Sequence, residues 1–193
     1  MKPIEFSEVK NIYEYEKIRE DFRKKVIAAK KVRRIRLGDK MTLVLENRES
    51  VLFQIQEMLR VERIVTDEGM QHEIDTYNQL VPGDQEVSGT LLIDITEKSL
   101  IKPVLDSLVG LNNNMLFLKI DANEIPAVFD EGQSDDDRIS AVQYVKWRLS
   151  DKDVQAASDL NKEVAIVSKH PNYSFVYKLS PDERQALVDD LGK

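Results

Sequence analysis

Cysteine is absent from the 193-residue sequence. Its absence excludes disulfide bonds, thiolate metal ligands, cysteine-ligated iron–sulfur clusters and a cysteine nucleophile in this chain. It is also consistent with a cytoplasmic location, which we expect for this protein. A chain of this length buries about 70% of its unfolded surface, so it needs neither disulfides nor a structural metal to fold.

Long hydrophobic runs are missing as well, although 41% of the residues are hydrophobic. The longest uninterrupted run has four such residues, far fewer than the roughly 20 that span a bilayer. The first ten residues, MKPIEFSEVK, contain no apolar segment typical of a secretory signal. We therefore expect neither a signal peptide nor a membrane partner.

Glycine is scarce, and the seven glycines form none of the motifs that bind phosphates or position nucleophiles. No G-x-G-x-x-G, P-loop or G-x-S-x-G pattern occurs, so nucleotide binding and serine-hydrolase chemistry have no support. The net charge of −7 argues against nonspecific binding to nucleic acid or anionic lipid.

A run of basic residues is the exception to this acidic balance. Seven of them fall within thirteen positions, at Lys24, Lys25, Lys30, Lys31, Arg33, Arg34 and Arg36. Such a run can follow phosphates, but it contains no interleaved aromatic residues. We interpret it as a solvated face that also supplies partners for carboxylates of a neighbouring helix, and we expect no nucleic-acid partner.

Apolar spacing predicts helices for most of the first 80 residues of the chain. Ser7 to Val32 has helical spacing with one break, and VRRIRLGDKMTLVLE predicts a hairpin that turns at Gly38-Asp39. Two further helices are predicted, in NRESVLFQIQEMLRVERIV and in DEGMQHEIDTYNQLV, the second ending at Pro82-Gly83.

Strands dominate the remaining residues, with predictions for GTLLIDIT, MLFLKI, IPAVFD, SAVQYVKWRLS, EVAIVSKH and YSFVYKLS. A helix in EKSLIKPVLDSLVG must kink or start late because of Pro103. Ser150 can cap a helix in DKDVQAASDLN, and Ser180 and Glu183 form a capping box for SPDERQALVDDLG.

The order of these elements predicts an α+β fold: a helical N-terminal part with a β-hairpin, followed by a mixed or antiparallel sheet with flanking helices. We expect a single domain over residues 1–193, whose weakest boundary lies near 82–89.

The helix predicted in NRESVLFQIQEMLRVERIV carries polar residues within an almost wholly apolar circumference. At 100° per residue, Gln54 and Glu62 fall among valine and isoleucine side chains, while Gln56, Arg60 and Arg63 gather on the remaining side. A buried carboxylate without a partner costs several kcal/mol. Glu62 should therefore pair with an arginine, from this helix or from the preceding hairpin.

Two interpretations of these polar residues remain open. They form a structural network of ion pairs and amides that locks the helix to the hairpin, or they line a ligand pocket or partner groove. The candidate binding residues in the second case are Arg48, Gln54, Glu57, Arg60 and Glu62. An irregular helix would invalidate both.

Glu68, His72 and Asp75 have a spacing that can converge on a metal from one helix. A helical wheel of this second helix places them towards solvent, so we interpret them as a hydrated face and predict no metal site. His170 in KHPNY is interpreted as the start of a strand whose backbone Pro171 restricts. The acidic stretch DEGQSDDD lacks the ligand spacing of a calcium loop and predicts a solvated loop.

Three stretches resemble the uncharacterised bacterial family known as domain of unknown function 3501: LVLENRESVLFQIQEMLRVERI, YNQLVPG and KHPNYSFVYKLS. The resemblance covers essentially the whole chain. It implies no catalytic residues, because the family has no established activity. Genes of this family tend to lie near those of rubrerythrin-like and iron–sulfur oxidoreductase proteins, so the resemblance implies a redox or oxidative-stress setting.

These observations favour a cofactor-free accessory or interaction module that works beside an unknown protein partner, such as a redox protein. The alternative is a small-ligand-binding protein or enzyme that uses the polar cluster on the 48–62 helix. A metal protein using Glu68, His72 and Asp75 is the third hypothesis, although we expect no cofactor.

The helix analysis predicts an order of stability among three variants. Glu62→Leu should be tolerated better than Arg48→Leu or Arg60→Leu, because the first removes a buried charge and the others leave a carboxylate unpaired. Thermal melts of the three proteins measure this order, and the reverse order would contradict the helical wheel.

Overall fold

Helices form most of the N-terminal part of the chain and strands most of the remainder, as predicted. The computed structural model describes residues 1–132, 134 and 138–191. Its α-helices are α1 (Ile12–Lys30), α2 (Arg48–Val61), α3 (Asp67–Asn78), α4 (Ile101–Asp106), α5 (Asp151–Ser158) and α6 (Pro181–Leu191). Its strands are β1 (Arg34–Leu37), β2 (Met41–Glu46), β3 (Glu86–Ile93), β4 (Leu116–Ile120), β5 (Asn123–Pro126), β6 (Val128–Phe129), β7 (Val142–Arg148), β8 (Val164–His170) and β9 (Tyr173–Lys178). No helix within these ranges is long and apolar enough to cross a membrane.

The strands form two antiparallel sheets. One has five strands in the order β1-β2-β3-β7-β6, and the other has four in the order β5-β4-β8-β9. The predicted α+β class is confirmed, and of the two sheet types left open by the sequence the antiparallel one is present.

The larger hydrophobic core lies between the two sheets. It joins Leu43 and Trp147 of the five-stranded sheet to Leu118 and Ile166 of the four-stranded sheet. A smaller core joins α2, α3 and the N-terminal segment, and Tyr144 of β7 packs against it. Because successive residues of a strand point to opposite faces, the helices lie on the face of β7 opposite Trp147.

The turn of the β1–β2 hairpin forms at Gly38, as predicted, and it requires glycine for two reasons. Its φ is +71°, and a Cβ there would lie 2.5 Å from the hydroxyl of Tyr173. That hydroxyl donates to the carbonyl of Leu37 at 2.7 Å and accepts the N–H of Lys40 at 2.9 Å. The turn of one sheet is therefore held by a strand of the other.

The predicted helix caps are present. The N–H of Ser150 donates to Asp153 at 2.9 Å, and the Ser150 hydroxyl accepts the N–H of Asp153 in return. Ser180 and Glu183 form the same reciprocal pair at the start of α6. The helix around Pro103 starts late, at Ile101, so that the proline falls within the first turn where its missing N–H is tolerated.

The predicted strand IPAVFD is divided between β5 and β6, which lie in different sheets, and two helix boundaries also differ from the prediction. The long N-terminal helix is preceded by a 3₁₀ helix at Phe6–Glu8, and this is where the predicted break falls. Helix α2 ends at Val61 instead of continuing to Val65, and Arg63 adopts a left-handed conformation with φ of 55°. Of the stretch DEGQSDDD, positions 133 and 135–137 lie outside the described residues, while Asp130 and Glu131 are exposed.

Helix α6 is tied to the start of β1 by a buried ion pair. The guanidinium of Arg33 contacts both carboxylate oxygens of Asp190, at 2.5 and 3.1 Å, and also the carbonyl of Ala186. Both side chains are about 8% exposed. An ion pair this deeply buried is destabilising to break, because the remaining charge loses its buried counter-ion.

Helix α6 also completes α5. Arg184 donates to the carbonyls of Ala157 at 2.8 Å and Lys162 at 2.7 Å, and it also reaches those of Ala156 and Asp159. The last carbonyls of a helix have no hydrogen-bond donors within that helix. Here the guanidinium of Arg184, on the later helix α6, provides donors for them.

We expect Arg33→Met to lower the free energy of unfolding by about 3–5 kcal/mol, because it leaves the Asp190 carboxylate buried without its cation. Urea unfolding measures this loss. The matched control is Lys25→Met, which breaks an exposed ion pair with Glu49 and should cost less than about 1 kcal/mol. If the two variants lost equal amounts of unfolding free energy, burial would not be what makes the Arg33–Asp190 pair costly to break.

Candidate functional site

Glu57 is the centre of a polar network that joins α1 to α2. Arg19 donates to both of its carboxylate oxygens, at 2.8 and 3.0 Å, and the hydroxyl of Tyr15 donates at 2.7 Å. Arg60 contributes a longer hydrogen bond at 3.3 Å and extends the network to Glu16 of α1 at 3.8 Å. The network therefore locks α2 to α1, whereas the sequence predicted a lock to the hairpin.

This network changes the acidity of its members. The hydrogen bond from Arg19 is the largest cause that lowers the pKa of Glu57 to about 2, from an ordinary value of 4.5. Burial, followed by the hydrogen bond to Glu57, raises the pKa of Tyr15. Glu57 thus stays ionised and Tyr15 stays protonated at neutral pH, which suits a structural contact better than proton transfer.

Two side-chain amides hold the N-terminal segment on the helices. Gln56 of α2 accepts the N–H of Lys10 at 2.8 Å and donates to the Lys10 carbonyl at 2.9 Å. Asn78 makes the same pair of bonds with the backbone of Ile4. Gln56 is 3% exposed, because the N-terminal segment covers its side of the helix. The covering segment comes from 46 residues earlier in the chain.

Arg48 holds the beginning of the same segment. Its guanidinium donates to the carbonyls of Lys2 at 2.9 Å and Pro3 at 3.2 Å, and it forms an ion pair with Glu8. The side chain is 31% exposed. Arg48 is therefore a clamp on the N-terminal segment that keeps part of its surface in contact with solvent.

An open cavity of about 560 Å³ lies between this segment, α1 and the first turn of α2. Its apolar lining comes from Met1, Phe22 and Leu52, and its polar lining includes Lys2, Arg48 and Glu49. We call it the N-terminal cavity. Its volume is within the range of about 300–1,000 Å³ that is common for binding sites.

Gln54 and Glu62 lie apart from this cavity. Glu62 is exposed, because α2 ends one residue before it, and its carboxylate has no hydrogen bond or ion pair with any described residue. The prediction that Glu62 is buried and paired with an arginine is therefore wrong. Gln54 is half-buried and lies near Tyr77, whose pKa is raised mainly by burial.

The five candidate binding residues are thus distributed over separate environments. Arg48 lines the N-terminal cavity, Glu57 and Arg60 form the network with α1, Gln54 contacts α3, and Glu62 faces solvent. The expected order of stability among the three leucine variants still holds, but for Glu62→Leu the reason becomes exposure of the side chain.

Glu68, His72 and Asp75 are all exposed, and Asp75 accepts a hydrogen bond from Gln71 at 2.7 Å. Within the part of the chain that the structure describes, no three His, Asp or Glu side chains are grouped to hold a metal ion. His170 is 3% exposed and ends β8, as the predicted strand EVAIVSKH does, and Pro171 precedes the start of β9. Its Nε2 lies 3.0 Å from the carbonyl of Val109.

The basic run does pair with carboxylates, one of them on the neighbouring helix as predicted, but not with Glu62. Arg36 pairs with Asp94, which directly follows β3, and Lys25 pairs with Glu49 at the start of α2. Arg33 forms the buried pair with Asp190 of α6 described above. None of the seven pairs with Glu62, which the sequence expected them to serve. The basic residues hold elements together around the first hairpin.

A second, smaller cavity was not predicted. It has a volume of about 90 Å³ and lies on the helix-facing side of the five-stranded sheet, where Ser88, Tyr144 and Lys146 line it. We call it the sheet cavity. The alternation in the QYVKW segment of β7 does place Tyr144 and Lys146 on one face. Their juxtaposition with Ser88 depends on strand pairing that spacing does not show.

These contacts define an α+β fold in which helices and an N-terminal segment cover one face of an antiparallel sheet, with a second sheet behind it. A model of the family described as Protein of unknown function (DUF3501) matches residues 3–191, so the chain belongs to that family. The resemblance found in the sequence is confirmed.

A solved structure shares the fold. The chain is similar to a novel protein of unknown function from Burkholderia pseudomallei K96243, with a TM-score of 0.91 and 28% sequence identity. The match covers 98% of this chain and 100% of that chain. No curated protein matches the sequence.

The Glu57 network generates a pH-dependent prediction. Because its folded pKa is depressed, the carboxylate contributes stability that is fully present above its ordinary pKa of 4.5 and is lost as the pH falls towards 2. We expect Glu57→Gln to lower the unfolding free energy by about 1–2 kcal/mol at pH 7 and to reduce its pH dependence between these values.

Urea unfolding of the wild type and the variant at pH 7, 4 and 3 measures this effect. Glu62→Gln, directly after the same helix, is the matched control, and the loss of its exposed carboxylate should leave the stability curve unchanged. A Glu57→Gln protein with the stability and pH dependence of the wild type would refute the network's contribution.

Proposed function

We propose that this protein is a cofactor-free cytoplasmic accessory protein that binds a redox protein through the N-terminal cavity. The open, largely apolar cavity is the observation that supports the proposal, because it can receive an apolar side chain of a partner. Interfaces often depend on a few such anchors that fill pockets. The chemistry of the redox or oxidative-stress system belongs to the partner in this proposal.

The charges at the cavity favour an anchor that has acidic neighbours. Lys2 and Arg48 supply two cations against the single carboxylate of Glu49, in a chain whose net charge is −7. Lys2 is exposed and has no ion pair with the described residues. We therefore expect a hydrophobic residue flanked by Asp or Glu to occupy the cavity, since opposite charges select and orient partners.

Family membership supports the redox setting. The sequence resemblance implies neighbouring genes for rubrerythrin-like and iron–sulfur oxidoreductase proteins, and the match over residues 3–191 extends that resemblance to nearly the whole chain. The absence of cysteine means that thiol redox chemistry in such a system is carried out by other chains.

The alternative, a small-ligand-binding protein or enzyme built on the 48–62 helix, has less support. Its five candidate residues do not converge on one cavity, and Glu57 is already saturated by Arg19, Tyr15 and Arg60. A carboxylate with these partners has no free role as a base or ligand contact.

Affinity purification from the native organism tests the proposal. A tagged wild-type protein should retain a redox protein, and Lys2→Glu should reduce its recovery about tenfold by reversing the charge at the cavity. Leu52→Glu, which places a charge in the apolar lining, should abolish recovery. Val176→Glu, at an exposed site on β9, is the control and should bind as the wild type does.

Thermal melts establish that each variant is folded, and Lys2→Glu is the decisive variant because its side chain is exposed. Recovery of the same partner by wild type and Lys2→Glu would reject the cavity as the binding site. A wild-type protein that elutes without a partner would reject the accessory function.

A further inference from the structure

The sheet cavity contains a buried hydroxyl without a partner. Ser88 on β3 is 1% exposed, and its Oγ makes no hydrogen bond within the described part of the chain. Most buried polar side chains in folded proteins have at least one hydrogen-bond partner. The Ser88 hydroxyl is therefore available to a molecule that enters the cavity.

Strand pairing places a cation directly beside this hydroxyl. Ser88 pairs with Lys146 across β3 and β7, and the two side chains share a face of the sheet. Tyr144 lies two residues before Lys146 and therefore on the same face. All three side chains line the cavity.

Lys146 retains hydrogen-bonding capacity after its one short contact. Its ammonium donates to Glu86 at 2.8 Å, and an ammonium has three N–H groups. Glu86 also accepts the N–H of Gly83 at 3.0 Å and lies 3.6 Å from Arg148. The negative charge of Glu86 is thus shared between two cations, which leaves Lys146 able to attract a second anion.

Tyr144 adds a third donor. Burial is the largest cause that raises the pKa of Tyr144, so its hydroxyl keeps the proton at neutral pH. Leu80 and Val128 supply apolar lining, and Val128 pairs with Lys146 across β6 and β7, so the two side chains share a face of the sheet. The cavity therefore has hydrogen-bond donors and hydrocarbon side by side.

We propose that the sheet cavity binds a small monocarboxylate, whose carboxylate lies between Ser88 and Lys146 and whose alkyl group contacts Leu80 and Val128. A carboxylate matches this lining because it accepts hydrogen bonds only. The volume of about 90 Å³ limits the ligand to a few heavy atoms, as in acetate or propionate. The exposed carboxylate of Asp130, which also lines the cavity, selects against a second negative charge.

This site is independent of the accessory function proposed above. It shares no lining residue with the N-terminal cavity. Loss of the protein partner would not affect it.

Titration of the ¹⁵N-labelled protein with sodium propionate, followed by amide NMR spectra, tests the proposal. We expect saturable shifts of the Ser88, Phe129 and Lys146 amides at millimolar ligand. Propionamide, which has the same shape without the charge, and sodium chloride at equal ionic strength should cause no saturable shift.

Ser88→Ala should weaken propionate binding about tenfold while leaving the melting temperature unchanged or higher, because the hydroxyl it removes has no partner. Lys146→Met should abolish binding. Lys169→Met removes a strand lysine that also pairs with a glutamate, Glu124, and it should bind as the wild type does.

Three results would overturn the proposal. They are the absence of a saturable shift with propionate, an unchanged affinity in Ser88→Ala, and equal binding of propionamide. A crystal structure of protein grown in propionate with only ordered water in the cavity would also overturn it.

Discussion

The burial of β2 on both faces is the constraint on which the rest of the structure depends. All six residues of this strand are buried, so one face needs the core between the sheets and the other needs the helical layer. Its last residue, Glu46, is 4% exposed and accepts hydrogen bonds from the hydroxyls of Ser50 on α2 and Thr90 on β3. Strand β2, its neighbour β3 and helix α2 are thereby positioned together.

Buried polar groups elsewhere set the positions of whole segments. The amides of Gln56 and Asn78 each bond both backbone groups of one residue in the N-terminal segment, as a neighbouring strand would. Such paired contacts leave no buried donor or acceptor unsatisfied, and a shifted segment would lose both at once. The apolar residues Ile4 and Val9 supply burial, and the amides determine the register.

Local patterns account for the parts of the structure that sequence could predict. Gly38, Ser150 and Ser180 act through contacts within a few residues, and the hairpin and caps they form are present. The helical wheel was wrong for Glu62, because Glu62 lies beyond the end of the helix. It could not show that Gln56 is covered by a segment 46 residues away in the sequence.

Contacts between distant residues account for most of what sequence could not predict. Arg33 and Asp190 are 157 positions apart, and Ser88 meets Lys146 only through strand register. Spacing along a single helix or strand carries no information about such pairs. The candidate site was therefore predicted only in part. Arg48 lines the N-terminal cavity, but the other four candidate binding residues do not.

The dependence of α5 on Arg184 has a consequence for the order of folding. An eight-residue helix is marginal in isolation, and the carbonyls at the end of α5 find their donor 27 residues later in the chain. Helix α5 therefore becomes stable only once α6 has docked. In nascent chains that end before α6, the α5 segment should be frayed and only transiently helical.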